Sequence, residues 1–148
     1  MDIILWRHAE AEEGSNDLAR QLTEKGRKQA AQMADFLQRH LPADTRILVS
    51  PAVRTQQTAA ALTRDFTTIP SIAPAASAHA ILQAAHWPNA GGTVLIIGHQ
   101  PTLGSVAAQL LGSGQDSLRI KKSGLWWFSR REGSTATTLR LVITPDYL

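Results

Sequence analysis

The sequence contains no cysteine. That absence excludes disulfides, thiolate metal sites and thiol nucleophiles, so any covalent catalysis must use another side chain. No apolar run approaches the ~20 residues that span a bilayer. The first residues, Asp2 and a short apolar run, form neither the charged nor the long apolar region of a secretory leader. We therefore expect a cytoplasmic protein without a membrane partner. A Gly-x-x-x-x-Gly-Lys nucleotide loop is also missing. Aspartate and glutamate are absent from the whole stretch Phe66 to Gln115, and this gap bears on the chemistry below.

The 148 residues fit one domain, expected to run from 1 to 148. A formal net charge of +3 is mild for a nucleic-acid-binding protein and equally suits an anionic ligand. Apolar residues 2–6 read as a buried strand, and the polar stretch AEAEEGSNDLARQ after it as a loop. Thr23 is placed to cap a helix whose apolar face runs Ala30, Met33, Leu37, Leu41. Arg46–Ser50 reads as a second strand. It is followed by a helix capped by Ser50 and Pro51 that extends to about Asp65. Residues 69–75 look extended, 77–87 helical, and Thr93–His99 is the strongest strand. Pro101 opens a helix with Leu103, Val106, Ala107, Leu110 and Leu111 at helical spacing. Strands are expected at 118–120, 125–129 and 138–144. This alternation predicts a three-layer α/β/α fold: a mainly parallel sheet, helices on both faces and added C-terminal edge strands.

Three strands end in polar residues. The first ends in Arg7 and His8, the second in Ser50 and Pro51 with Arg54 a helical turn on, and the strongest in Gly98 and His99. A parallel sheet gathers these ends at one edge, where helix N-termini and βα loops build ligand sites. Two arginines and two histidines there suit a phosphoryl group, since the guanidinium fork matches phosphate oxygens. Without cysteine, a histidine is the natural covalent nucleophile.

These four segments, Arg7-His8, Leu22-Thr23-Glu24-Lys25-Gly26, Ser50-Pro51-Ala52-Val53-Arg54-Thr55-Gln56-Gln57-Thr58 and Gly98-His99-Gln100-Pro101, resemble those of the histidine phosphatase superfamily. Within that phosphoglycerate-mutase-like group they are most similar to the small SixA-type phosphohistidine phosphatases. The resemblance implies that His8 accepts the phosphoryl group, that Arg7 and Arg54 clamp its oxygens, and that His99 completes the catalytic set. It implies that Asp17 and Arg20 form a polar pair near the site, and it places Ser50 and Gly98 with them as substrate-binding candidates. Ala9 departs from the glycine usual after the histidine.

The expected reaction is metal-independent, with no cofactor, and proceeds through phosphohistidine on His8. Esters with alcohol leaving groups need a general acid, worth roughly 100- to 10,000-fold. The family usually supplies it from the segment that lacks carboxylates here. Protonated phosphoimidazole can leave as a neutral ring, so the gap favours a phosphohistidine protein, such as a phosphorelay or phosphotransfer carrier. The alternative is a small-molecule phosphomonoesterase with an acid among Glu10, Glu12, Glu13 and Asp17. A third reading is a non-catalytic phosphate- or nucleic-acid-binding module suggested by RIKKSGLWWFSRRE. A hairpin with one buried aromatic face is the simpler account of that segment, so no nucleic-acid partner is expected. The remaining histidines, His40, His79 and His86, read as surface or structural residues, with no metal-ligand spacing. A monomer is expected.

Overall fold

A computed structural model describes residues 1–148. One six-stranded sheet has the order β3-β2-β4-β1-β5-β6. Its strands are β1 (Asp2–Arg7), β2 (Arg46–Val49), β3 (Thr67–Thr68), β4 (Thr93–Gly98), β5 (Leu125–Ser129) and β6 (Thr138–Ile143). The first four run parallel; β5 pairs antiparallel with β1, and β6 antiparallel with β5. The central strands β1 and β4 are apolar without alternation because both of their faces are covered.

The helices are α1 (Glu24–His40), α2 (Val53–Ala60), α3 (Ala78–Ala85) and α4 (Thr102–Leu110). Met33, Ala34 and Leu37 of α1 and Ala59 of α2 pack with Ile4, Trp6, Leu95 and Ile97 on one face. On the other, Ile81 of α3 and Leu103, Val106 and Ala107 of α4 pack with Ile3, Leu5, Val94 and Ile96. Odd and even residues of each strand therefore supply separate cores, and the result is the three-layer α/β/α arrangement.

Thr23 caps α1 by accepting the Gly26 N–H at 2.9 Å, a bond of a kind worth ~1 kcal/mol. Gly26 permits a close approach: a Cβ there would lie 2.0 Å from the Glu10 carbonyl oxygen. The start of α1 is thus pressed against the loop that follows His8.

Several local expectations differ from the structure. Helix α2 starts at Val53, with Ala52 rather than Ser50 in the cap position, and ends at Ala60 instead of near Asp65. The Ser50 hydroxyl is bonded to His99, and its carbonyl accepts from the Thr55 hydroxyl and Gln56 amide, so residues 51–52 bend before the helix begins. The early stop leaves chain for Thr67–Thr68 to pair with Leu48 and Val49. Residues 69–75 hold a 3-10 turn, Pro70–Ile72, instead of an extended segment.

Residues 118–120 form no strand. Their backbone groups go elsewhere: the Leu118 N–H to Gly104 and the Ile120 carbonyl to Arg7. The loop after β1 contains a 3-10 turn, Asp17–Ala19, and a bridge between Ala11 and Leu22. Finally, β5 buries aromatics on both faces rather than one, with Phe128 in one core and Trp127 in the other. The indole N–H of Trp127 donates to Asp2 at 2.8 Å, and Arg140 lies 5.0 Å from the ring centroid.

Candidate active site

Strand register builds the site. Arg7 pairs with Gly98 and Val49 with Ile97, so the residues that follow, His8, His99 and Ser50, emerge side by side. The His8 N–H donates to the Gly98 carbonyl at 3.0 Å and the Ser50 N–H to the Ile97 carbonyl at 3.1 Å. Sheet hydrogen bonding thus continues into the reactive edge. The two imidazole rings lie with centroids 5.3 Å apart.

His8 is buried, and its Nδ1 is 2.7 Å from the Ala9 carbonyl oxygen. That contact requires the proton on Nδ1, which leaves the Nε2 lone pair free. Burial lowers the His8 pKa to about 4, against the opposing Ala9 bond and with help from Arg54 and Arg7. Burial, then His8 and Arg54, lowers His99 to about 3. Both rings are neutral at pH 7.

His99 Nε2 lies 2.7 Å from the Ser50 hydroxyl. The Ala52 N–H beside the Ser50 oxygen can only donate, so Nε2 is the acceptor for the hydroxyl hydrogen, and with Nε2 accepting, the His99 proton is assigned to Nδ1. Nδ1 of His99, with Nε of Arg7 and Nε of Arg54, is buried and has no hydrogen-bond partner in the protein. Three donors without acceptors at one sheet edge are a costly arrangement. An oxyanion is the kind of group that supplies such acceptors.

The arginines are held by other bonds. Arg7 donates from an outer nitrogen to the Ile120 carbonyl at 2.9 Å. Arg54, 4% exposed, donates to both the carbonyl and the carboxylate of Asp17, at 2.7 and 3.1 Å. Asp17 also receives Arg20 at 3.0 Å. The bond from Arg20, followed by that from Arg54, lowers the Asp17 pKa. Asp17 is therefore an anion that fixes the Arg54 plane, with Arg20 bracing it through the Glu12 carbonyl. Ser50 and Gly98 likewise contact the two histidines: Ser50 through its hydroxyl and Gly98 through its carbonyl.

Other loop carboxylates are engaged or exposed. The Thr23 hydroxyl donates to Glu10 at 2.9 Å and lowers its pKa, aided by Lys122 at 3.6 Å. Glu12 and Glu13 are exposed. No group of three metal-ligating side chains occurs in the chain.

The Ala9 methyl is absorbed by a small cluster with Leu22 and Ala30, which accounts for its tolerance after His8. Sequence reading missed Thr58 as a tie within the site. Its hydroxyl accepts the Ala9 N–H at 3.1 Å and donates to the Arg54 carbonyl at 2.7 Å, joining the segments that carry His8 and Arg54. The signal was its place one helical turn after Arg54, where threonine can bond back to the carbonyl four residues earlier. Ser123, which accepts from the Trp6 indole and donates to the Gln29 carbonyl, carried no such signal. His40 lies against Phe36, and His79 and His86 are exposed, all outside the site.

The neutral rings make a testable statement. Because both folded pKa values lie below 6.5, the unfolded chain binds more protons in acid. The stability tied to these histidines is complete above pH 6.5 and is lost as pH falls toward 4 and 3. In an NMR titration the His8 and His99 ring protons should keep neutral-form shifts down to about pH 5. Titration of either ring near 6.5 would contradict the burial argument.

The sequence profile of the histidine phosphatase superfamily (branch 1) matches residues 3–76, a span that includes His8 and Arg54. The phosphohistidine phosphatase SixA homolog of Haemophilus influenzae is 36% identical over 128 residues, covering 76% of this chain and 78% of that protein. Among solved structures, the protein histidine phosphatase SixA complexed with tungstate matches with a TM-score of 0.83 at 23% identity, over 99% of each chain. A candidate phosphohistidine phosphatase SixA from Agrobacterium tumefaciens gives 0.82 at 26% identity, over 97% of each. An Entamoeba histolytica phosphoserine phosphatase variant bound to phosphoserine shares the fold, with a TM-score of 0.75 at 16% identity, over 99% of this chain and 98% of that one. On its sequence matches and its architecture, this chain belongs to the histidine phosphatase superfamily, branch 1.

Proposed function

We propose that this protein is a phosphohistidine phosphatase that dephosphorylates a protein through a phosphoryl intermediate on His8. Neutral His8 attacks phosphorus with Nε2, forming an N–P bond while the bond to the substrate imidazole breaks. That imidazole, protonated on its other nitrogen, leaves as a neutral ring. His8 becomes a phosphorylated imidazolium whose Nδ1–H donates to Ala9. Water then attacks phosphorus, the His8 Nε2–P bond breaks, and the water proton departs with inorganic phosphate. Arg7, Arg54 and His99 Nδ1 stabilise the phosphoryl oxygens in both steps, so catalysis is mainly positioning and electrostatics. Asp17 and Arg20 position Arg54, and Ser50 and Gly98 position the two histidines.

The observation that carries the choice of substrate is the state of the nearby carboxylates. Asp17 is tied to two arginines and Glu10 to Thr23 and Lys122, and both have lowered pKa values. Neither is suited to protonate an alkoxide. The fold also serves a phosphoserine phosphatase, so architecture does not select the leaving group. The SixA homolog of Haemophilus influenzae supports the phosphohistidine reading through its sequence. No helix is long and apolar enough to cross a membrane. We further place the enzyme in the cytoplasm, acting as a monomer on a phosphorelay or phosphotransfer carrier.

The test compares a histidine-phosphorylated carrier protein with phosphoserine and simple alkyl phosphates. Turnover of the carrier should exceed that of the esters by ~100-fold or more, the general-acid contribution at stake. Rapid ester turnover with none on the carrier rejects the proposal and favours a loop carboxylate acting as acid.

A further inference from the structure

A concavity of about 530 Å³, with Arg7 in its lining, contains no hydrophobic residue. It runs along the reactive edge of the sheet, between the first half of α1, residues 119–122 and the 3-10 turn after β6. Six cations line it, Arg7, Lys25, Lys28, Arg119, Lys121 and Lys122, against the carboxylates of Glu10 and Asp146. All but Arg7 among the cations are exposed. Only Lys122 has an ion-pair partner, Glu10; the other five make no salt bridge. With six cations against two carboxylates, the groove presents a positive potential that concentrates anions.

We propose that this groove docks an acidic patch on the phosphoprotein substrate, an inference that rests on the phosphohistidine reading above. Position favours it: Arg7 lines the groove and His8, the next residue, presents the nucleophile. A partner whose carboxylates lie in the groove would bring its phosphohistidine to the sheet edge that carries His8. The lining chemistry favours protein over nucleic acid. The lining itself holds no aromatic ring for base stacking: Trp127 and Phe128 are buried in the sheet, Trp126 is packed in part against one core, and the exposed Tyr147 stands just outside; the carboxylates of Glu10 and Asp146 would also face a continuous phosphate backbone. Lysines on flexible stems suit scattered carboxylates and act chiefly by steering encounter.

The groove predicts a split between two substrates. In the triple variant Lys25→Glu, Lys28→Glu and Lys121→Glu, KM for an acidic histidine-phosphorylated carrier should rise about tenfold or more with kcat little changed. Turnover of phosphorylated free histidine, too small to reach the groove, should stay within about twofold. With the wild-type protein, raising salt from about 50 to about 300 mM should raise KM for the carrier several-fold more than KM for free phosphohistidine, whose phosphoryl group is held by buried groups that salt screens less. Both substrates turned over as in wild type, with a salt-insensitive carrier KM, would overturn the docking proposal alone. Equal losses on both substrates would also overturn it, by showing that the lysines act on the pocket. So would a single-stranded oligonucleotide that binds wild type, displaces the carrier and no longer binds the variant. No turnover of either phosphohistidine substrate by wild type would instead remove the functional reading, and the groove proposal with it.

Discussion

His8→Ala should lower kcat/KM on a histidine-phosphorylated protein by at least ~10,000-fold, because it removes the nucleophile that divides the reaction into two displacements. The loss should fall on kcat, since Arg7, Arg54 and His99 remain to bind the phosphoryl group. Folding should be little affected: the His8 side chain makes one hydrogen bond, to the carbonyl of the next residue, and the backbone contacts with Gly98 and Ser123 persist. Phosphate or tungstate binding should therefore survive. Retained turnover would mean that water attacks the substrate directly or that His99 is the nucleophile.

Arg54→Ala should cost ~100- to 1,000-fold, the range for deleting one preorganised donor from an anionic transition state. Arg54→Lys should rescue little of it. A lysine has no planar fork to engage both the Asp17 carbonyl and its carboxylate while aiming a third N–H inward. Here the loss should divide between KM and kcat, because the guanidinium contacts the phosphoryl oxygens in ground and transition states alike. The fold should tolerate the change, as Asp17 is 55% exposed on its side chain and can be solvated once its partner is gone. An Arg54→Ala enzyme with unchanged kcat and KM, measured alongside tungstate affinity, would remove Arg54 from the pocket.

The parts of the molecule that were legible in the sequence are those governed by local pattern. Continuous apolar runs at residues 2–6 and 93–97 marked strands covered on both faces, and a polar residue directly after each marked the reactive edge. The register pairing Arg7 with Gly98 made the coincidence of these ends physical. The Thr23 cap was legible because its chemistry spans three residues. What was hidden depends on contacts far apart in the chain. Residues 118–120 have the composition of a strand, but their polar groups bind Gly104 and Arg7. Ser50 followed by proline has the form of a helix cap, but its hydroxyl belongs to His99, 49 positions away. The loop after His8 has no period, so nothing in it foretold that Asp17 would grip Arg54 across 37 residues. Sequence thus named residues that converge at this edge, Asp17, Arg20 and Ser50 among them, while the bonds by which these hold Arg54 and His99 appear only in the folded chain.

The central claim is that the phosphoryl group passes through His8 Nε2, and it is most directly tested by the position of the trapped phosphate. Acid-lability, phosphorus NMR and mapping of the labelled peptide from enzyme quenched during turnover should locate it on Nε2 of His8, with the Nδ1 isomer absent because that nitrogen donates to Ala9. Phosphate on Nδ1, or on His99 or any other residue, would contradict the account.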